Sequence, residues 1–518
     1  MTSWLSRLLP NGGVAAPARA RPALGRLLLV GALALGAVVG VVLRLIVWLS
    51  PLGQYESDEA VWGLMARHAL DGELSAFFWG QAYGGTLEVL LTAAVFAVAG
   101  SGWIALRLVP IALTALAAVL VWRVGRRTVG EPAAAVAAVL FWVFPFYLVW
   151  KSVRAHGFYG SGLVLSLLLL LLVLRLAERR SRLDAALLGL VLGVGFWQTA
   201  QLVAVALPAL AWLTWRRPAV WRDAWAAVPT AFAGALPWTL SNLRHDWWSL
   251  SIDAPAPPYL TRLRGGLAGT LPMALDLRLP FTSDWIGGKL VGGTAYVLVV
   301  VGLAVLAWRL RRTTVSLLAA VAIAYPFLYA LSTYTWLNDE PRYMVLLLPV
   351  LALLLSLPAR TPARGAAAVL VAAGLSALSI ALIDVDRYRV SADGHLVPRE
   401  LAPLVDSLDR LGIRRAFGHY WITYRLTFET GERIVAAEAD TASLAERRPG
   451  AILPELPYDA RWPAYADEVK DVEAPAWVFR EGSTRDRRWR SLFARAGYQR
   501  LVSGGFVVYH RGEASAGT

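Results

Sequence analysis

Three carboxylates stand close together in Gln54-Tyr55-Glu56-Ser57-Asp58-Glu59, directly after the first long apolar segment of the chain. Ser57 reads as a helix N-cap, which puts Asp58 and Glu59 in the first turn, where exposed N–H groups and the helix dipole favour ionised carboxylates. Val61, Leu64, Met65 and Ala69 follow at helical spacing and predict an amphipathic helix on or in a membrane interface. Such a carboxylate can act as general base on a hydroxyl; taken alone, the same pattern also describes a solvated helix start. The basic groups that could work with it are Lys151, Arg154 and His156 in one stretch and Arg342 in another, beside Asp339, Glu340 and Tyr343. Lys and Arg can hold a phosphate at an interface. They can equally reach out from span ends, His156 can be structural, and Asp339 and Glu340 can be solvated loop residues. There is no P-loop, no dinucleotide glycine fingerprint, no H-E-x-x-H and no nucleophile elbow. The chain has no cysteine and its six histidines are scattered, which removes disulfides and thiolate sites and argues against a His-rich metal site. No cofactor is indicated, and a divalent metal is left open.

The elements that position these residues are membrane spans. The 518 residues are 57% hydrophobic with a mean hydropathy of +0.53, and several runs approach the roughly 20 apolar residues that cross a bilayer. The formal charge of +14 does not indicate a nucleic-acid partner: all but three of the 50 basic residues are arginines, many of them flanking apolar runs. Arginine clusters occur at Arg7/Arg19/Arg21/Arg26, Arg123/Arg126/Arg127, Arg175/Arg179/Arg180/Arg182, Arg216/Arg217/Arg222, Arg309/Arg311/Arg312 and Arg360/Arg364. If all six are cytoplasmic, an even number of spans separates each successive pair. The run 27–49 is then an uncleaved first span, and the short run 86–99 is interfacial or re-entrant within a long outer loop. Further spans are expected at 103–122, 133–150, 160–175, 183–197, 199–215, 224–241, 291–308, 315–332, 343–358 and 365–383. The expected fold is an all-α polytopic membrane protein of about eleven transmembrane helices plus interfacial helices, with a C-terminal soluble α/β domain. The N-terminus is cytoplasmic and the C-terminus outside. The domain boundary falls between 1–383 and 384–518, where charged residues become frequent. In the second part 399–411 reads as a short helix, and 433–437, 476–480 and 506–510 as strands. Its most suggestive polar patch is Tyr420-Trp421-Ile422-Thr423-Tyr424-Arg425.

A general base and phosphate-holding cations on one membrane face suit a lipid phosphate carrying an activated sugar. A phosphate monoester leaves readily, so a base on the incoming hydroxyl and cations on the departing charge suffice. In-line attack inverts the anomeric carbon.

The residues also carry a resemblance. Ser57-Asp58-Glu59 in the first outer loop is similar to the acidic motif of the GT-C membrane glycosyltransferases, closest to the family 39-like group of protein O-mannosyltransferases and lipid A aminoarabinose transferases. Phe78 to Glu88 (FWGQAYGGTLE), the segment Gly100 to Pro110 with Arg107, and Glu340-Pro341-Arg342-Tyr343 before Leu347-Leu348-Pro349 extend it over most of 25–360. The resemblance implies a polyprenyl-phosphate-sugar donor, an inverting mechanism and Asp58 in the catalytic-base position. Glu59 is assigned to positioning of the acceptor or a metal, and Arg342 with Lys151 or Arg154 to the lipid phosphate. The turn with Gln81 and Tyr83 stands where many members have a Pro-Pro-containing segment, and could line a sugar pocket. The acceptor is a glycan, a lipid or a protein. Two other readings compete. A polytopic transporter or lipid flippase would carry ionisable residues inside the spans and related halves, whereas here the polar groups crowd one face; a scaffold or assembly protein is kept alive by the C-terminal part.

Overall fold

The computed structural model describes residues 20–250, 256–336, 339–359, 361–385, 400–439 and 460–511, with side chains placed from residue 25 onwards except that of Trp336. Arg7, Arg19 and Arg360, all named above, lie outside these residues.

An apolar segment in hydrocarbon must satisfy its backbone internally, and the long runs accordingly form helices. Ala20–Leu49, Trp103–Thr128, Tyr159–Glu178, Gly288–Arg309 and Pro362–Leu382 are long and apolar enough to cross a membrane. The expected span at 133–150 is a pair, Glu131–Val143 and Phe146–Ser152, bent by 67° at Phe144-Pro145. The remaining expected spans are shorter or broken: Arg182–Gln198 (17 residues), Val203–Arg216 after a 3-10 turn, Val315–Tyr329, and Leu348–Leu355 after a 3-10 turn. At 224–241 the chain forms two helices, Ala224–Gly234 and Leu236–Arg244, the second opening with Pro237 in its first turn. Length and composition among the described residues thus support five spans, or six with the bent pair. Leu87–Ala99 has 13 residues, about 20 Å of helix against a hydrocarbon core of about 30 Å.

Trp103–Thr128 packs between Glu131–Val143 and Tyr159–Glu178, and Ala20–Leu49 lies along Pro362–Leu382. Arg182–Gln198 meets Ala224–Gly234 at backbone contact: a Cβ on Gly189 or Gly193 would come within 2.0 Å of the carbonyl of Ala227 or Ala231. This is the small-residue spacing by which helices approach closely in lipid.

The C-terminal part carries a five-stranded sheet: β1 (Arg415–Gly418), β2 (Val435–Glu438), β3 (Ala476–Arg480), β4 (Gln499–Ser503) and β5 (Phe506–His510), in the order β2-β1-β3-β5-β4. β1 is parallel to β2 and β3, and β5 is antiparallel to β3 and β4. β1 and β4 were absent from the expected strands; the helix expected at 399–411 is Ala402–Arg410. Both faces are buried, as alternation across a two-sided sheet requires. Ala416, Ala476, Val478 and Val508 pack with Leu404, Leu408 and Ile422. Phe417, Trp477, Phe479 and Tyr509 face a cluster that continues through Phe428 into Trp62, Met65, Phe78, Trp79 and Phe96. The acidic helix and the sheet therefore share one apolar cluster across the expected boundary at 383/384.

Candidate active site

Asp58 and Glu59 lie in the first turn of the helix Ser57–Leu70. Its N-cap is Glu56, and Ser57 is fully buried with its hydroxyl donating to the Tyr420 carbonyl at 2.5 Å, so Ser57 joins two parts of the chain and does not cap the helix. Asp58 lines a cavity of about 850 Å³, together with Gln81, Tyr83, Lys151, His156, Arg342 and Tyr343. Seven of the nine site residues expected from sequence therefore meet there. The other two, Glu59 and Arg154, stand behind its wall.

Glu59 has no exposed surface and is clamped. Arg107 donates to both its oxygens at 2.8 and 2.6 Å, the Ala155 N–H donates at 3.1 Å, and Arg154 lies 3.1 Å away. Burial alone would raise its pKa; Arg107 and Arg154 outweigh this and hold it below the usual range. Arg107 also donates to the Gly53 carbonyl at 2.7 Å, which fixes the turn leading into the helix. Arg154 bridges Glu59 to Glu56, at 3.0 Å from the latter. Glu56 in turn meets His156 Nε2, and His156 Nδ1 lies 2.9 Å from Lys151 Nζ. Burial, then Lys151 and Arg154, push the His156 pKa well down. The neutral ring with Nε2–H donating to Glu56 and Nδ1 accepting from Lys151 satisfies both contacts.

Across the cavity Arg342 pairs with Glu340, whose other oxygen accepts from the Tyr147 hydroxyl at 2.9 Å. Burial works against ionisation of Glu340, but Arg342 and Lys151 hold its pKa down. The Arg342 side chain keeps 38% exposure, so the guanidinium still faces the cavity. The turn carrying Gln81 and Tyr83 is closed by the bridge Phe77↔Gly85, with Gly80 and Gly84 at positive φ (+68° and +79°), conformations that side-chain-bearing residues rarely adopt.

Three contributions escaped the sequence reading. Tyr420, 362 residues from Asp58, donates its hydroxyl to Asp58 Oδ1; burial and then Asp58 push its pKa well up, so it remains a donor. Arg461 lies over the rings of Tyr420 and Phe78, 5.5 and 5.6 Å from their centres. Trp197, Thr199 and Gln201, where the expected spans 183–197 and 199–215 meet, line the cavity, as does Trp421. Away from Asp58 the lining becomes apolar, with Phe196, Val203, Leu207 and Leu328. Among the described residues no group of three or more His, Asp and Glu is disposed to hold a metal ion.

A family model described as "Dolichyl-phosphate-mannose-protein mannosyltransferase" matches residues 87–242, less than half of the chain. No curated protein matches it in sequence. By fold the chain is similar to ArnT from Cupriavidus metallidurans in the apo state, with a TM-score of 0.61 at 14% identity over 93% of this chain and 98% of that one. For the same protein bound to undecaprenyl phosphate the TM-score is 0.56 at 14% identity, over 93% and 99%. In its motifs, in the family model over 87–242 and in its fold, the chain is similar to the GT-C membrane glycosyltransferases.

Proposed function

We propose that this chain is an inverting glycosyltransferase that moves a sugar from a polyprenyl-phosphate-linked donor to an acceptor hydroxyl at the outer face of the membrane. The observation that carries the reading is the shared cavity: the Asp58 carboxylate on one wall, Lys151 and Arg342 on others, and an apolar extension beside them. The fold likeness to a protein crystallised with undecaprenyl phosphate supports the same donor class.

In this reading Asp58 takes the acceptor proton as the acceptor oxygen bonds to the anomeric carbon. The bond from that carbon to the phosphate oxygen breaks, and the electron pair leaves with the polyprenyl phosphate. Arg342 and Lys151 stabilise that developing charge in a partly desolvated site. Gln81 and Tyr83 hold sugar hydroxyls, Tyr343 flanks the phosphate, and the apolar lining takes the first isoprene units. His156 holds Lys151 in place, while Glu59 and Arg154 fix the wall from behind. The acceptor, a glycan, lipid or protein, enters beside Trp421. Full-length protein in proteoliposomes with a polyprenyl-phosphate sugar should release polyprenyl phosphate in step with a glycoside of inverted configuration. Neither product, or a glycoside of retained configuration, would count against the proposal.

A further inference from the structure

We infer that the chain carries a second, separate anion site, at the end of the bundle opposite the Asp58 cavity, which takes the phosphate headgroup of an anionic lipid. Arg123, Arg126, Arg127 and Arg175 converge on one recess of about 350 Å³ with Leu171 in its wall. The two helices that supply them, Trp103–Thr128 and Tyr159–Glu178, both begin at the Asp58 end: Arg107 clamps Glu59 and Tyr159 lines the large cavity. From Arg107 to Arg123 the helix rises about 24 Å at about 1.5 Å per residue, so the recess lies nearly a hydrocarbon thickness away.

A bias of arginines to one face explains why they stand at this end, but not why four of them, from two helices, surround one recess. Helix C-termini favour cations, and three of the four are already matched. Arg126 meets Glu131 at 2.5 Å, Arg127 meets Glu178, and Arg175 meets Asp184 at 2.6 Å. Arg123 is exposed and, among the described residues, has no carboxylate partner. It stacks on Trp122, 5.2 Å from the ring centre, and Arg126 lies over the same ring at 5.0 Å. Tryptophan marks the headgroup level of a bilayer, and the Trp122 indole is fixed there by donating to Glu131 at 3.0 Å. The recess thus offers an uncompensated guanidinium at headgroup depth, with Leu171 as an apolar contact for a chain below. Basic recesses between membrane helices bind phospholipid headgroups for these reasons.

The test uses full-length protein in phosphatidylcholine nanodiscs, titrated with phosphatidylglycerol and read by native mass spectrometry. Exchanging Arg123→Gln should weaken phosphatidylglycerol retention about fivefold, and adding Arg126→Gln by about as much again. Arg123→Lys, which keeps the charge, should retain most of it. Arg312→Gln, an exposed arginine outside the recess lining, serves as control and should change nothing. Unaltered thermal unfolding of Arg123→Gln separates a lost site from a lost fold. Equal losses in Arg123→Gln and Arg312→Gln, or none in either, overturn the inference. Arg123-dependent binding of inorganic phosphate without any preference for phosphatidylglycerol keeps the anion chemistry but overturns the lipid.

Discussion

Asp58 and Glu59 are consecutive in the first turn of one helix, so their side chains diverge by about 100° and meet different surroundings. Asp58 meets the cavity and the Tyr420 hydroxyl; Glu59 meets two guanidinium groups and no solvent. Glu59→Gln would leave Arg107 buried without its carboxylate and Arg154 with Glu56 alone, and a broken buried pair costs about 3–5 kcal/mol. The variant should lose stability in chemical or thermal unfolding, and a stable, fully active protein would refute the structural role. Tyr420→Phe keeps the ring and removes the hydroxyl that donates to Asp58 and meets Arg461. We expect turnover to fall by about one order of magnitude with donor affinity unchanged, a split that a merely misfolded protein would not give. Arg342→Ala should instead raise the donor Kd as well as lower turnover. The difference between the two carboxylates could not be read from the sequence, because Arg107 and Arg154 come from two other segments. Asp58 drew notice in the sequence because it follows an apolar run and resembles the GT-C acidic motif; Tyr420 was visible only as an aromatic patch, since its contact with Asp58 depends on packing across 362 residues.

Among the elements, the helix Ser57–Leu70 and the helix Tyr420–Glu429 hold Asp58 in place by lying against each other. Gly63 is a point of close approach: a Cβ there would stand 2.4 Å from Phe428 Cε2. The Phe428 ring is buried and covered by the Arg67 guanidinium 4.2 Å from its centre, so it has little room to yield. Gly63→Ala should cost about 1–3 kcal/mol by overpacking and lower turnover through Asp58. A pH-dependent tether closes the far end of the same contact. His68 meets Glu73 at 2.6 Å and Glu432 at 3.1 Å, with Tyr465 also on Glu432 and the rings of Trp79 and Trp462 around it. Burial lowers the His68 pKa, but Glu432 and Glu73 outweigh it and raise it above the ordinary value. A raised histidine contributes fully below about pH 6.5 and loses its contribution as pH rises through its folded pKa. Corrected for the intrinsic rate, protection from hydrogen exchange over 57–70 and 420–429 should therefore fall as pH rises above about 6.5, and His68→Gln should flatten that dependence. The strands at 476–480 and 506–510 were legible from their apolar residues. β1 was missed because Arg-Ala-Phe-Gly is short, and β4 because it is an edge strand with no buried residue. The broken helices around Phe144-Pro145 and Gly234–Leu236 were read as unbroken spans because a hydropathy window averages across a break.

For the whole molecule, the long apolar helices were legible from length alone, while the shared cluster between the acidic helix and the sheet was not, because the two are distant in sequence. The expected topology of eleven spans with the C-terminus outside can be tested directly because the chain contains no cysteine. A single cysteine at Arg126 should resist an impermeant outside reagent and one at Arg487 should react, and the reverse labelling would refute the topology. In the proposed reaction Asp58 is the general base of sugar transfer. The direct measurement is turnover and donor binding of Asp58→Asn, full length in proteoliposomes, beside the unaltered chain. The substitution keeps the shape and removes the basicity, so turnover should fall by about 10²–10⁴-fold, while donor affinity, set by Arg342 and Lys151, changes far less. A folded Asp58→Asn protein that binds donor and turns over at the unaltered rate would contradict the account.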